Sequence, residues 1–125
     1  MSELTTYTGG CHCGAVRFSV AAESLAVKAC NCSICAPSGY LHLIVPKAQF
    51  QLQTPWQALT LYTFNTGVAQ HWFCATCGIK SFYLPRSHPD GYSINARCLD
   101  AVELDDLDIT PFDGRNWERN VASIQ

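Results

Sequence analysis

Three cysteines within six residues, Cys30, Cys32 and Cys35, constrain this chain more than any other feature. A disulfide uses sulfur atoms in pairs, and a structural zinc site uses four protein ligands. Three clustered thiols match neither arrangement by themselves. They do match a zinc ion that is held by three protein ligands with one coordination position open, which distinguishes catalytic zinc from structural zinc. The rest of the sequence must decide whether a fourth ligand closes this three-cysteine cluster.

Composition and charge predict a globular chain with reduced cysteines. The 125 residues are 48% hydrophobic and 14% charged, which predicts one folded domain over residues 1–125. The net charge of −2 provides no excess of cations for nucleic acid or an anionic membrane, so neither is expected as a partner. Because residues 1–6 resemble no secretory signal and no apolar run has the length of a membrane span, we expect a cytoplasmic protein. In that compartment eight cysteines favour metal binding over disulfides.

Short runs of alternating or β-branched residues predict a mostly β fold. The run 15–20 places Val16, Phe18 and Val20 on one face, as in a half-buried strand. Further strands are predicted at 25–29, 40–45, 59–64, 69–73, 79–84 and 92–95. Turns are predicted at 36–39 and 65–67, a helical turn at 47–50 and a short helix at 116–122. The acidic segment 100–108 is interpreted as a solvated face.

Two cysteine pairs that lie far apart in the chain predict a structural zinc site. Cys11 and Cys13 lie between glycines that allow a tight turn, and 74–78 reads Cys-Ala-Thr-Cys-Gly, a common zinc-knuckle form. Cys11 and Cys13, joined with Cys74 and Cys77 as one four-cysteine cluster, would form a closed tetrahedral site. Zinc affinity there would contribute on the order of 10 kcal/mol to folding. The alternative for the second pair is a redox Cys-x-x-Cys, but no βαβ pattern flanks it.

This partition leaves the three-cysteine cluster as a second metal site. If its fourth position is open, a bound zinc would orient a thiol or polarise an aldehyde carbonyl. Three thiolates make the zinc a weaker Lewis acid than three neutral histidines would. The open arrangement is favoured because the other two cysteine pairs account for each other.

A closed second site is the alternative, with Cys98, His42 or His71 as the missing ligand. His42 shares a strand face with Ile44 and could reach the metal side. His71 is more simply a strand histidine whose ring atoms are satisfied. The spacing of Cys98, close behind the last predicted strand, does not exclude it.

Three motifs together resemble one known family. They are Gly10-Cys11-His12-Cys13-Gly14, Cys30-Asn31-Cys32-Ser33-Ile34-Cys35 and Phe73-Cys74-Ala75-Thr76-Cys77-Gly78. In this order they resemble the glutathione-dependent formaldehyde-activating enzyme family. Flanking stretches such as 41–46, 62–66 and 97–100 are similar to its centromere protein V branch. The resemblance implies a β-tent fold, in which small coiled antiparallel sheets are pinned by zinc.

The same resemblance implies two zinc ions per chain and a reaction. It implies that the four-cysteine cluster holds a structural zinc and that Cys30, Cys32 and Cys35 hold a catalytic one. The family's named activity joins formaldehyde to glutathione, which is a carbon–sulfur lyase reaction read in reverse. Small-molecule thiol and aldehyde substrates are therefore expected, with glutathione as one candidate.

One departure from the family pattern leaves the function open. Ala36-Pro37 follows the three-cysteine cluster, where many members carry a basic residue. The second hypothesis is a non-catalytic, zinc-stabilised protein-interaction module related to centromere protein V. A third is thiol redox chemistry at the three-cysteine cluster when zinc is lost.

Overall fold

Ten short strands, joined by turns and single helical turns, make up the computed structural model, which describes residues 4–64, 67–88 and 90–113. The strands are β1 (Thr5–Gly10), β2 (Arg17–Ala22), β3 (Ala26–Cys30), β4 (Leu41–Pro46), β5 (Phe50–Leu52), β6 (Leu59–Tyr62), β7 (Gln70–Cys74), β8 (Phe82–Leu84), β9 (Gly91–Asn95) and β10 (Asp108–Phe112). One α-helical turn, α1, covers Cys35–Ser38. Single 3-10 turns cover Lys47–Gln49, Trp56–Ala58, Ala96–Cys98 and Leu104–Asp106. The mostly β prediction is confirmed.

The strands form two sheets. The smaller sheet has the order β1-β2-β5 and the larger has the order β10-β3-β4-β9-β8-β7-β6. The pairings within the described residues are antiparallel, with one exception: β10 runs parallel to β3, with Ile109 opposite Val27. That pair departs from the antiparallel sheets that the family resemblance implies. A bridge between Gly9 and Leu99 connects β1 to the chain beyond β9.

The core lies between the sheets and follows the alternation in β2. Val16, Phe18 and Val20 are all at most 1% exposed, which confirms the predicted inward face. The ring of Phe18 packs on that of Phe50. The Phe50 ring in turn packs on Phe82 of the other sheet, with 4.7 Å between the ring centroids. A side chain at Gly9 would place its Cβ 2.4 Å from the Cys98 carbonyl oxygen, so this close approach of the two segments requires glycine.

Several element predictions need correction. The turn predicted at 36–39 is the helical turn α1, which Gly39 ends in the left-handed region at φ 65°. Strand β8 begins at Phe82 and not at residue 79, because the chain first leaves the Cys74–Cys77 turn. Strands β1, β5 and β10 were not predicted, and β10 begins at the last residue of the acidic segment. The helix predicted at 116–122, and most of the turn at 65–67, lie outside the described residues.

Candidate functional site

The four-cysteine cluster lies where β1 and β7 end. Cys11 follows β1 directly, and Cys74 is the last residue of β7. The four Sγ atoms of this cluster all lie within 4.8 Å of one another. The Cys13 Sγ is 3.6 Å from the Sγ of both Cys11 and Cys74. Sulfurs around a tetrahedral zinc are about 3.8 Å apart, whereas bonded disulfide sulfurs are about 2.05 Å apart. The donor set and its spacing therefore fit zinc.

Backbone N–H groups point at these sulfurs. Thr76 and Cys77 donate to the Cys74 Sγ, both at 3.4 Å, and Val16 donates to the Cys11 Sγ at 3.3 Å. Hydrogen bonds from the backbone, that of Ile79 foremost, lower the pKa of Cys77 to about 6. Such hydrogen bonds favour thiolate over thiol, and thiolate is the form that binds zinc.

The three-cysteine cluster is built by β3, α1 and the loop between them. Cys30 ends β3 and Cys35 begins α1. The Cys32 Sγ accepts the N–H of Cys35 at 3.4 Å, which is the contact that Cys74 makes with Cys77. The thiols of Cys30 and Cys35 lower the pKa of Cys32. The structure therefore places Cys32 and Cys35 in a turn of knuckle form that follows Cys30.

His42 of β4 joins this cluster. Its Nε2 lies 3.1 Å from the Cys35 Sγ, and the ligand atoms of Cys30, Cys35 and His42 all lie within 4.8 Å of one another. Cys32 is outside that tighter set, although its Sγ accepts the Cys35 N–H. Three thiols and one imidazole nitrogen are donors that suit zinc.

The charge of the three-cysteine cluster also favours a cation. Hydrogen bonds from Cys30 and Cys35 lower the pKa of Cys32 far below its usual range. The hydrogen bonds from Cys30 and Cys32 raise the pKa of Cys35 far above it. Three clustered thiolates repel one another, so all three are ionised together only when a cation lies between them. The cluster fits a bound zinc better than it fits three ionised thiols alone.

The ring of His42 is held in its neutral form by its surroundings. It is 6% exposed, and burial lowers its pKa to about 4. Its Nδ1 lies 2.9 Å from the Ser93 Oγ and 3.2 Å from the Tyr83 hydroxyl. A neutral imidazole either binds a metal through Nε2 or hydrogen-bonds a metal ligand. Ser93 is a contact that the sequence pattern did not indicate.

Cys98 and His71 belong to neither cluster within the part of the chain that the structure describes. Cys98 lies in the Ala96–Cys98 turn and packs against the core. His71 is buried in β7, stacks on Tyr83 at 4.5 Å between ring centroids, and has its Nδ1 3.0 Å from the Lys80 Nζ. The satisfied strand position predicted for His71 is what the structure has.

Changing Cys98 to alanine should leave zinc binding intact. Because its thiol lies in neither cluster, we expect the variant to bind as much zinc per chain as the wild type. Zinc content after gel filtration, measured by atomic emission, checks this. A loss of one zinc from Cys98→Ala would instead make Cys98 a ligand.

An open cavity of about 640 Å³ lies beside the three-cysteine cluster. His42 lines this cavity. It also lines a small recess that reaches Cys30 and Tyr83. Lys28 and Ser87 line both the recess and the cavity, so the two are neighbours. His88 and Asp90 also line the cavity.

Comparison with known proteins places the chain in a family. The sequence profile of the family described as glutathione-dependent formaldehyde-activating enzyme matches residues 6–112. The chain belongs to this family. It is also similar to the crystal structure of a Rhodobacter sphaeroides protein, at 36% identity and a TM-score of 0.73. That match covers 83% of this chain and 97% of the other. The formaldehyde-activating family is named as an enzyme family, with a glutathione-dependent function at the family level.

Membership of the formaldehyde-activating family confirms the resemblance drawn from the three cysteine motifs. The matched range includes both cysteine clusters and nearly all of both sheets. Within the described residues, the helices are all too short to cross a membrane.

Proposed function

We propose that this protein is a zinc-dependent carbon–sulfur lyase that adds a small thiol, such as glutathione, to an aldehyde, such as formaldehyde. The observation that carries the proposal is the three-cysteine cluster, which lies beside His42, a residue that also lines an open cavity. Cys30, Cys32 and Cys35 would hold the catalytic zinc, which supplies a positive centre that orients sulfur and polarises a carbonyl.

The four-cysteine cluster would hold a structural zinc. Its four thiols offer a complete tetrahedral ligand set, so no position is left for a substrate. It ties the turn after β1 to the end of β7, which are 61 residues apart at Cys13 and Cys74. Binding energy at such a cluster becomes folding energy.

The reaction forms one carbon–sulfur bond and transfers one proton. The thiol sulfur bonds to the aldehyde carbon, the π electrons of the carbonyl move to oxygen, and that oxygen takes the thiol proton. His42 borders both the cavity and the three-cysteine cluster. Its neutral imidazole, beside the Tyr83 hydroxyl, is the group placed to carry that proton.

The cavity also offers a contact for the body of the thiol substrate. Lys28 lines both the recess near Cys30 and the larger cavity. Its ammonium can pair with a carboxylate of a thiol such as glutathione while the sulfur lies near the cluster. Asp90, which lines the larger cavity, can receive a substrate ammonium in the same way.

The direct test follows formaldehyde and glutathione with the purified, zinc-loaded protein. Exchange between formaldehyde hydrate and S-hydroxymethylglutathione, measured by NMR, should be faster with protein than without it. The control is the same concentration of heat-unfolded protein, because its eight thiols also consume formaldehyde. Equal exchange rates with folded and unfolded protein would contradict the proposal.

A non-catalytic zinc-stabilised interaction module is the second candidate, and one observation favours it. His42 is close enough to Cys30 and Cys35 to be a ligand beside them, and with Cys32 as the fourth ligand the site would be closed. A closed site leaves no position for a substrate.

Changing His42 to alanine separates the two candidates. If three cysteines suffice for zinc, the variant should keep the zinc content of the wild type while turnover falls about 100-fold, because the proton carrier is lost. Zinc content and exchange rate are measured on the same sample. Loss of one zinc per chain from His42→Ala would favour the closed site and the interaction module.

A further inference from the structure

Lys80 is a partly buried cation in an unusual setting. Its Nζ lies 4.6 Å from the centroid of the Tyr40 ring and 4.8 Å from that of Tyr83. It also lies 3.0 Å from the Nδ1 of His71. Tyr40 and Tyr83 are 2% and 8% exposed, so the ammonium is shielded from solvent on that side. Three aromatic side chains therefore surround the charge.

Among the described residues, the groups that favour the charged form of Lys80 are the thiols of the three-cysteine cluster. Of the residues that the structure describes, Arg17 and Asp100 form the salt bridge, and Lys80 takes no part in one. Burial lowers the pKa of Lys80, and the thiols of Cys35, Cys32 and Cys30 oppose that effect. A buried cation without a counter-charge is strongly disfavoured. The three-cysteine cluster is the counter-charge available to it.

The contacts between Lys80 and the cluster run through the same two tyrosines. The rings of Tyr40 and Tyr83 also contact the His42 ring, at 4.6 and 5.5 Å between centroids. His42 in turn lies against Cys35. Because buried aromatic rings exclude water, a charge on one side is poorly screened from a charge on the other.

Two further contacts, one at the ammonium and one at the backbone, hold Lys80 in place. Burial and the charge of Lys80 lower the pKa of His71 to about 4, so its Nδ1 remains an acceptor for the Lys80 N–H. The Asn95 side-chain amide donates to the Lys80 carbonyl at 3.2 Å. Lys80 also follows Cys77 by three residues, so the four-cysteine cluster sets where its backbone lies.

We propose that Lys80 is a positioning residue whose ammonium offsets the negative charge of a zinc centre at Cys30, Cys32 and Cys35. This rests on the proposed function, because it presupposes a zinc ion on those thiolates. Three thiolates around a divalent zinc leave a net charge of about −1. A fixed cation stabilises that charged state over the protonated, metal-free thiols. It also restores part of the Lewis acidity that the thiolates remove.

The test compares two neutral variants, Lys80→Met and Lys80→Gln, with the charge-conserving Lys80→Arg. The Zn²⁺ dissociation constant of the three-cysteine cluster is measured by competition with a chromophoric chelator. The values of kcat and KM are measured on the same variants. Loss of one charge at a partly buried position should weaken zinc binding about tenfold in both neutral variants. The loss of charge should lower kcat by a larger factor than it changes KM. Lys80→Arg should restore most of the zinc affinity and most of kcat.

The matched control is Lys47→Met. Lys47 also lies over an aromatic ring, 5.7 Å from the centroid of Tyr92, but neither cluster includes or adjoins it. The Lys47→Met variant should have the zinc affinity and the kcat of the wild type. Unchanged or tighter zinc binding in both Lys80→Met and Lys80→Gln would overturn the proposal.

The two proposals fail in different ways. If the wild type does not accelerate thiol addition but the neutral variants lose zinc affinity, the catalytic proposal fails and the role of Lys80 stands. If the wild type is active and the neutral variants match it in zinc affinity and kcat, the role of Lys80 alone fails. A neutral variant that does not fold is replaced by the other, with thermal unfolding as the check.

Discussion

Replacing Cys74 with serine should leave the protein unfolded at room temperature. The Cys74 side chain is 0% exposed, accepts two backbone N–H groups and lies 3.6 Å from the Cys13 Sγ. A serine hydroxyl is a poor zinc ligand that does not ionise at neutral pH. Losing the four-cysteine cluster removes on the order of 10 kcal/mol, which is comparable to the whole stability of a domain. Circular dichroism and denaturant titration measure the result.

Cys98→Ala is the control for that experiment. It also removes a thiol that packs against the core, but it removes no member of either cluster. It should stay folded, with a loss of a few kcal/mol at most from the smaller side chain. A Cys74→Ser protein with the same unfolding midpoint as the wild type would show that the four-cysteine cluster does not stabilise the fold.

Replacing Cys32 with serine should abolish acceleration of thiol addition while the fold persists. Cys32 accepts the Cys35 N–H, and hydrogen bonds from its two neighbours make it the most acidic thiol of the three-cysteine cluster. A hydroxyl there removes one of the three thiolates that would hold the catalytic zinc. The rate acceleration should fall at least about 100-fold, as when a catalytic group is lost.

The fold should survive because Cys32 lies outside the buried core cluster. Thermal unfolding of Cys32→Ser should occur at a lower temperature than that of the wild type, because one bound zinc is lost, but the variant should stay folded at room temperature, in contrast to Cys74→Ser. The NMR exchange assay and thermal unfolding are run on the same preparation. A folded Cys32→Ser protein with the exchange rate of the wild type would contradict a catalytic role for this cluster.

Much of the candidate site could be predicted from cysteine spacing because short-range metal motifs are local. Cys74 and Cys77 need only a tight turn to face one ion, and the Cys32–Cys35 turn has the same form. The alternation in β2 likewise predicted its buried face, because a strand side chain points in or out by position alone. These features depend on neighbours in the sequence.

What the sequence did not reveal depends on distant pairing. His42 could be placed on a strand face, but its 3.1 Å contact with Cys35 depends on how β4 pairs with β3. Lys80 gave no signal, because its position relative to Tyr40 is set by the packing of separate segments. Strand β10 has no alternating pattern and contains Pro111, so its parallel pairing with β3 was not visible.

The zinc content of the purified wild type and Cys32→Ser, measured side by side, tests the central claim most directly. That claim is that the chain holds two separate metal centres and that Cys32 is a ligand of the second. We predict two zinc ions per chain in the wild type, one for each cluster, and one in Cys32→Ser. Two zinc ions in both proteins, or one in both, would contradict it.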